Sequence, residues 1–110
     1  MLMTGSNSWG DPAVTVSTTA VVAVNSSVSG VALAANADRR WALFSNDSAN
    51  IIYLAIATST GAATANAGIR LNSDGGSYEM SPRLGNLDLR TVHAIAAAST
   101  GNKLLVAQAT

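Results

Sequence analysis

The sequence predicts an all-β protein, an antiparallel β-sandwich of jelly-roll type with about eight short strands. Three observations predict it. Short apolar runs rich in Val, Ile and aromatic residues recur along the chain. Turn formers separate them at short, fairly even spacing, as at Asn25-Ser26-Ser27 and in residues 46–50 and 72–77. In the strand read around Trp41, both parities carry apolar residues, as in a strand covered on both faces.

Residues 1–13 read as a flexible arm and residues 14–110 as one domain. Gly5, Gly10, Asp11 and Pro12 disfavour regular structure in the arm. Trp9 is the exception there. It either folds back to cap the domain or inserts into a neighbouring subunit, since Trp is enriched at interface hot spots. Residues 14–24 alternate as a strand, with a break expected near Thr18-Thr19. Residues 28–34 read as a second strand, with Gly30 marking a bulge or a close backbone approach.

Residues 39–57, RRWALFSNDSANIIYLAIA, read as a central hairpin. It carries Trp41, Leu43, Phe44, Ile51, Ile52, Tyr53, Leu54 and Ile56, most of the large side chains, which are expected to be buried as the core. Residues 58–68 form a small, uncharged loop, of a length that is usually functional or mobile. In the next strand Ile69 and Leu71 point inward and Arg70 outward. NSDGGS at 72–77 is a turn, and Tyr78-Glu79-Met80 a short strand. Leu87-Asp88-Leu89 reads as a further short edge. In residues 91–98 the alanines favour helix, whereas Thr91, Val92 and Ile95 favour strand. The segment is short and lies between Gly85 and Gly101, so strand is preferred. Residues 103–108 close the domain.

The composition points to association. Charged residues are 11% of the 110, against a usual ~25%, and the formal net charge is +0. A surface so poor in charge is weakly defended against contact, which suits a homo-oligomer or a protein packed on a larger body. The plainer alternative is a monomer with a Ser/Thr/Asn-rich surface. With no cysteine, neither a disulfide nor a thiolate metal site is expected. The N-terminal residues lack the features of a signal peptide. The lack of a long apolar run argues against a membrane span, and the lack of a basic patch against nucleic acid as a partner.

Candidate chemistry is sparse. His93 is the only histidine, which favours a strand histidine satisfied by a neighbour over a catalyst or metal ligand. The carboxylates are scattered, and Glu79 with Asp88 is the one pair considered for glycosidase chemistry. Gly75-Gly76 opens no helix and reads as a plain turn rather than a phosphate cradle. No cofactor is expected. Arg39, Arg40, Arg70, Arg83 and Arg90 are either solvated strand-end residues or partners in inter-subunit ion pairs, a task that suits the planar guanidinium. With Trp9, Asp11 and Pro12 they make up the candidate interface.

The order of elements adds a resemblance. Arg39-Arg40-Trp41-Ala42-Leu43 leads to a turn opened by Asn46, then Ile52-Tyr53-Leu54 and a small-residue loop. Gly68-Ile69-Arg70-Leu71, the turn at Gly75-Gly76, Val92-His93-Ala94-Ile95 and Leu104-Leu105-Val106 follow. Over residues 39–108 this order resembles small accessory virion proteins of tailed bacteriophages. These include capsid decoration or cement proteins and related head-fibre and tail-associated β-domains. The resemblance implies a non-enzymatic structural role in the virion, assembled in the host cytoplasm. It also implies a homotrimer on the major capsid protein, with residues 1–13 as a gripping arm. A tail, collar or fibre-attachment component is the near alternative. A carbohydrate-binding module using Trp9, Trp41 and Tyr53 is the distant one.

Overall fold

The computed structural model describes residues 16–58, 62–98 and 101–110. Within them lie eight strands: β1 (Val16–Ala23), β2 (Gly30–Leu33), β3 (Trp41–Asn46), β4 (Ile52–Ile56), β5 (Ile69–Leu71), β6 (Ser77–Met80), β7 (Val92–Ala96) and β8 (Lys103–Ala109). They form two four-stranded sheets, in the orders β1-β8-β3-β6 and β2-β7-β4-β5. Every pairing is antiparallel. The pairs are nested: β1 with β8, β2 with β7, β3 with β6, β4 with β5. A long hairpin wound across two sheets has this order, the jelly-roll arrangement expected from the sequence.

The inner faces of the sheets make the core. Phe44, Ile52, Leu54, Leu71, Met80, Val92 and Leu104 are fully sealed from solvent. Burying each such side chain stabilises the fold by roughly 1.5–3 kcal/mol. Ile69 is half-buried, Leu71 buried and Arg70 exposed, as the alternation predicts. β7 is a strand in spite of its alanines, and all five of its residues are buried. Val92, Ala94 and Ala96 face the main core, whereas Ile95 packs with Tyr53 and Ala63 on the far side of that sheet. Two-sided cover of this kind removes the polar face that an amphipathic helix needs.

Several expectations are corrected. Residues 39–57 are not a hairpin, because β3 and β4 belong to opposite sheets. The segment between them is an arch organised by side chains. Asn46 is fully buried, and its Nδ2 lies 2.7, 3.1 and 3.1 Å from the carbonyl oxygens of Asn50, Leu71 and Asn72. Its Oδ1 accepts from the Ser48 amide and hydroxyl at 3.0 and 2.6 Å. A tight two-residue hairpin favours Asn-Gly or Asp-Gly, and no glycine occurs in 46–50. The turn at 72–76 packs against this arch. The amides of Asp74 and Gly75 donate to the carbonyls of Ser48 and Asn46, each at 2.8 Å. A Cβ on Gly76 would come within 2.4 Å of the Asn72 backbone, so this approach requires glycine.

Trp41, Leu43, Ile51 and Ile56 are half-buried rather than sealed, though Ile56 packs against the main core and Ile51 against the Tyr53 cluster. The irregularity expected at Gly30 falls between Val31 and Leu33, and Gly30 itself has open space beside it. Residues 87–89 form no strand, because carbonyls along this segment are taken by other groups. Those of Asp88 and Arg90 accept from Arg39, and that of Leu89 from the Asn36 amide.

Candidate interaction surface

The two sheets differ on their outer sides. The outer side of β4 and β7 is covered by the described part of the long loop. Ala63 is buried there, its amide donating to Ser29 Oγ at 3.0 Å, and Tyr53 Oη donates to Asn66 Oδ1 at 3.0 Å. No described segment covers β1, β8 and β3 in the same way. Their register aligns Val21 with Leu105 and Ser45 in one row, and Thr19 with Ala107 and Leu43 in the next. These side chains line a shallow depression of about 440 Å³. Val21 is 65% exposed and Leu105 39%. Consecutive apolar residues cause this: Val22 and Leu104 turn inward, so Val21 and Leu105 turn outward. Glu79, across from Leu43 on β6, bounds the face and accepts the Trp41 indole N–H at 2.8 Å. Lys103, opposite Ala23, stands at one end.

The arginines expected at an interface are distributed differently. Arg39 is 2% exposed, which corrects its reading as a solvated or inter-subunit residue. Its Nε donates to Gln108 Oε1 at 2.8 Å. Nη1 donates to the Asp88 and Arg90 carbonyls at 2.6 and 3.0 Å, and Nη2 to the Ala34 carbonyl at 2.6 Å. The side chain therefore ties the segment before β3, residues 88–90 and β8 together. Burial lowers its pKa, and the Asp88 charge opposes that shift.

Arg40, Arg70, Arg83 and Arg90 are exposed but not gathered into one patch. Arg40 precedes β3, Arg70 lies on β5 of the other sheet, and Arg83 and Arg90 are in the connection after β6. Arg70 Nε donates to Asn72 Oδ1 at 3.0 Å. Trp9, Asp11 and Pro12, with the arm that carries them, lie outside the described residues.

Arg90 holds Asp88 with two side-chain bonds, Nε to Oδ1 at 3.0 Å and Nη2 to Oδ2 at 2.8 Å, and its amide also donates to Oδ1 at 3.0 Å. These bonds pull the Asp88 pKa down from 3.8 to about 2. A depressed carboxylate pKa adds stability above its unfolded value, and that stability is lost as pH falls through the folded value. The melting temperature is therefore expected to fall from near pH 4 toward pH 2. Asp88→Asn should flatten part of that slope in melts followed by circular dichroism, and an unchanged slope would exclude Asp88 as its source.

The residues considered for chemistry have structural partners. His93 is buried, with Nε2 3.3 Å from the Ala57 carbonyl. Glu79 is bonded to Trp41 and Asp88 to Arg90. Among the described residues, no three His, Asp or Glu side chains are grouped as metal ligands. The sequence reading missed the open face of β1, β8 and β3. The available signal was Val21-Val22 and Leu104-Leu105-Val106, which leave no polar parity for solvent. In comparisons with known proteins, no family model, no curated protein and no solved structure matches this chain.

Proposed function

We propose that this chain is a non-enzymatic structural protein that works by surface association. The observation that carries this is the apolar face of β1, β8 and β3, which no described segment covers, in a chain with 11% charged residues. Such a face loses solvent exposure only when another surface meets it. The finer reading is an accessory protein of a tailed-phage virion that decorates or cements the capsid by bridging adjacent subunits. The resemblance in order of elements supports it, and jelly rolls recur in viral capsid domains, an analogy of fold alone. Homotrimers on the major capsid protein are expected on this reading. Many copies would stabilise a shell together even where each binds weakly.

A tail, collar or fibre-attachment component remains the alternative within the virion. A sugar-binding role is less favoured by the aromatic residues described. Tyr53 is buried, and Trp41 is half-buried with its N–H bonded to Glu79. The test is co-sedimentation with undecorated capsid shells. Saturation at a fixed copy number per shell, with shells surviving higher temperature, is the expected result. Absence of binding would remove the capsid role and direct attention to the tail.

A further inference from the structure

We propose that β1 pairs edge to edge, antiparallel, with β1 of a second copy of this chain. Among the described residues the sheets end in four edge strands: β1 and β6 in one, β2 and β5 in the other. Exposed edges offer unpaired amides and carbonyls to any other strand, and proteins blunt them with charge, proline, bulges or brevity. Three of these edges are blunted. β5 has three residues, with exposed Arg70 at its centre. β6 has four, includes exposed Glu79, and is followed closely by Pro82. β2 has four and a register shift.

β1 has eight residues, VSTTAVVA, without a charge or a proline. Its one irregularity lies at the start, between Val16 and Thr18. Residues 18–23 pair continuously with β8 on one side. On the other side no described strand pairs with them.

A second copy suits this edge for three reasons. Two uncharged edges meet without like-charge repulsion, whereas a charged partner strand finds no counter-charge on β1. Thr19, Val21 and Val22 are β-branched residues that form favourable cross-strand pairs with their own kind. Antiparallel pairing about a two-fold axis is also closed, so it ends at a dimer. A two-fold axis perpendicular to the sheet keeps both outer faces on one side. It sets Val21 beside Thr19 or Val21 of the other copy and continues the apolar face across the junction. This contact is separate from the three-fold association implied by the resemblance, and it does not depend on a capsid role.

The test is sedimentation velocity of the full chain over a concentration series, with Val21→Lys, Val21→Glu and Leu105→Lys alongside. Residue 21 is exposed, so both substitutions there leave the fold intact, as circular dichroism will verify. The unaltered chain is expected to form a reversible dimer. Val21→Lys alone should weaken it by about tenfold or more, because like charges then face each other across the edge. Mixing V21K with V21E should restore a one-to-one dimer. Leu105→Lys, on the same face but on an interior strand, should leave dimerisation unchanged. A full chain that stays monomeric across the concentration series would overturn the proposal. So would an assembly that V21K leaves unchanged, or one that L105K weakens as strongly as V21K, which would indicate contact through the face.

Discussion

Arg39→Met is expected to cost about 2–4 kcal/mol of folding stability, because it removes the charge-assisted bonds of a buried guanidinium and leaves part-buried carbonyls without their donor. Arg39 bonds the carbonyls of Ala34, Asp88 and Arg90 and the amide oxygen of Gln108. Methionine fills part of the volume and supplies no donor. For a domain of this size such a loss lowers the melting temperature by about 8–17 °C. Arg39→Lys keeps the charge, but one ammonium cannot reproduce the planar fork that spans these acceptors, so it should recover only part of the loss. Thermal and urea unfolding of the two variants checks this. A methionine variant that melts within a few degrees of the parent would show that the segment at 88–90 is held by other contacts.

Asn46→Ala should cost about 3 kcal/mol by a different route. It removes the donor that serves the carbonyls of Asn50, Leu71 and Asn72, and the acceptor for Ser48. Asn46→Asp separates the two functions. The carboxylate keeps an acceptor for Ser48, but it faces those carbonyls with no proton to offer and is buried. It should be at least as destabilising as alanine at neutral pH. Amide hydrogen exchange gives a local readout. The Ser48 amide bonds Asn46 Oδ1 directly, and those of Asp74 and Gly75 bond the arch backbone, so all three should exchange faster in N46A. Unchanged exchange at Ser48 would mean that the arch holds without its central side chain.

These two residues also mark what sequence reading could and could not reach. Strand identity was legible because it is local. β4 was visible in Ile51-Ile52-Tyr53-Leu54, and β5 in the alternation of Ile69, Arg70 and Leu71. Strand partnership was not legible. Alternation tells which side chains share a face, not which sheet a strand joins, so β3 and β4 read as a hairpin although an arch separates them. Arg39 was misplaced for a related reason. Its acceptors lie at residues 34, 88, 90 and 108, mostly far along the chain, so no local pattern announced that an arginine belonged inside. In the candidate surface, the arginines drew attention because charge is conspicuous in this sequence. The open face is made of Val21, Leu43 and Leu105, which as letters look like core residues. Only the register shows them facing out.

The nested pairing has a consequence for how the protein is made. β8 is an interior strand of its sheet, lying between β1 and β3, yet it is the last of the described strands in sequence. During synthesis β1 and β3 therefore leave the ribosome long before the strand that joins them exists. Val16 must wait for Ala109, nearly the whole length of the chain away. The ordering cost of closing so long a loop falls before its contacts can form, which places this domain among slow folders dominated by non-local pairing. The inner pairs of the nest close sooner, since β4 and β5 can meet as soon as residue 71 emerges and β3 and β6 once residue 80 has. While the first sheet is incomplete, β1 has two open edges rather than one, and neighbouring nascent chains present the same uncharged strand. Crowded synthesis is thus the condition under which this chain is most exposed to pairing with its own kind prematurely.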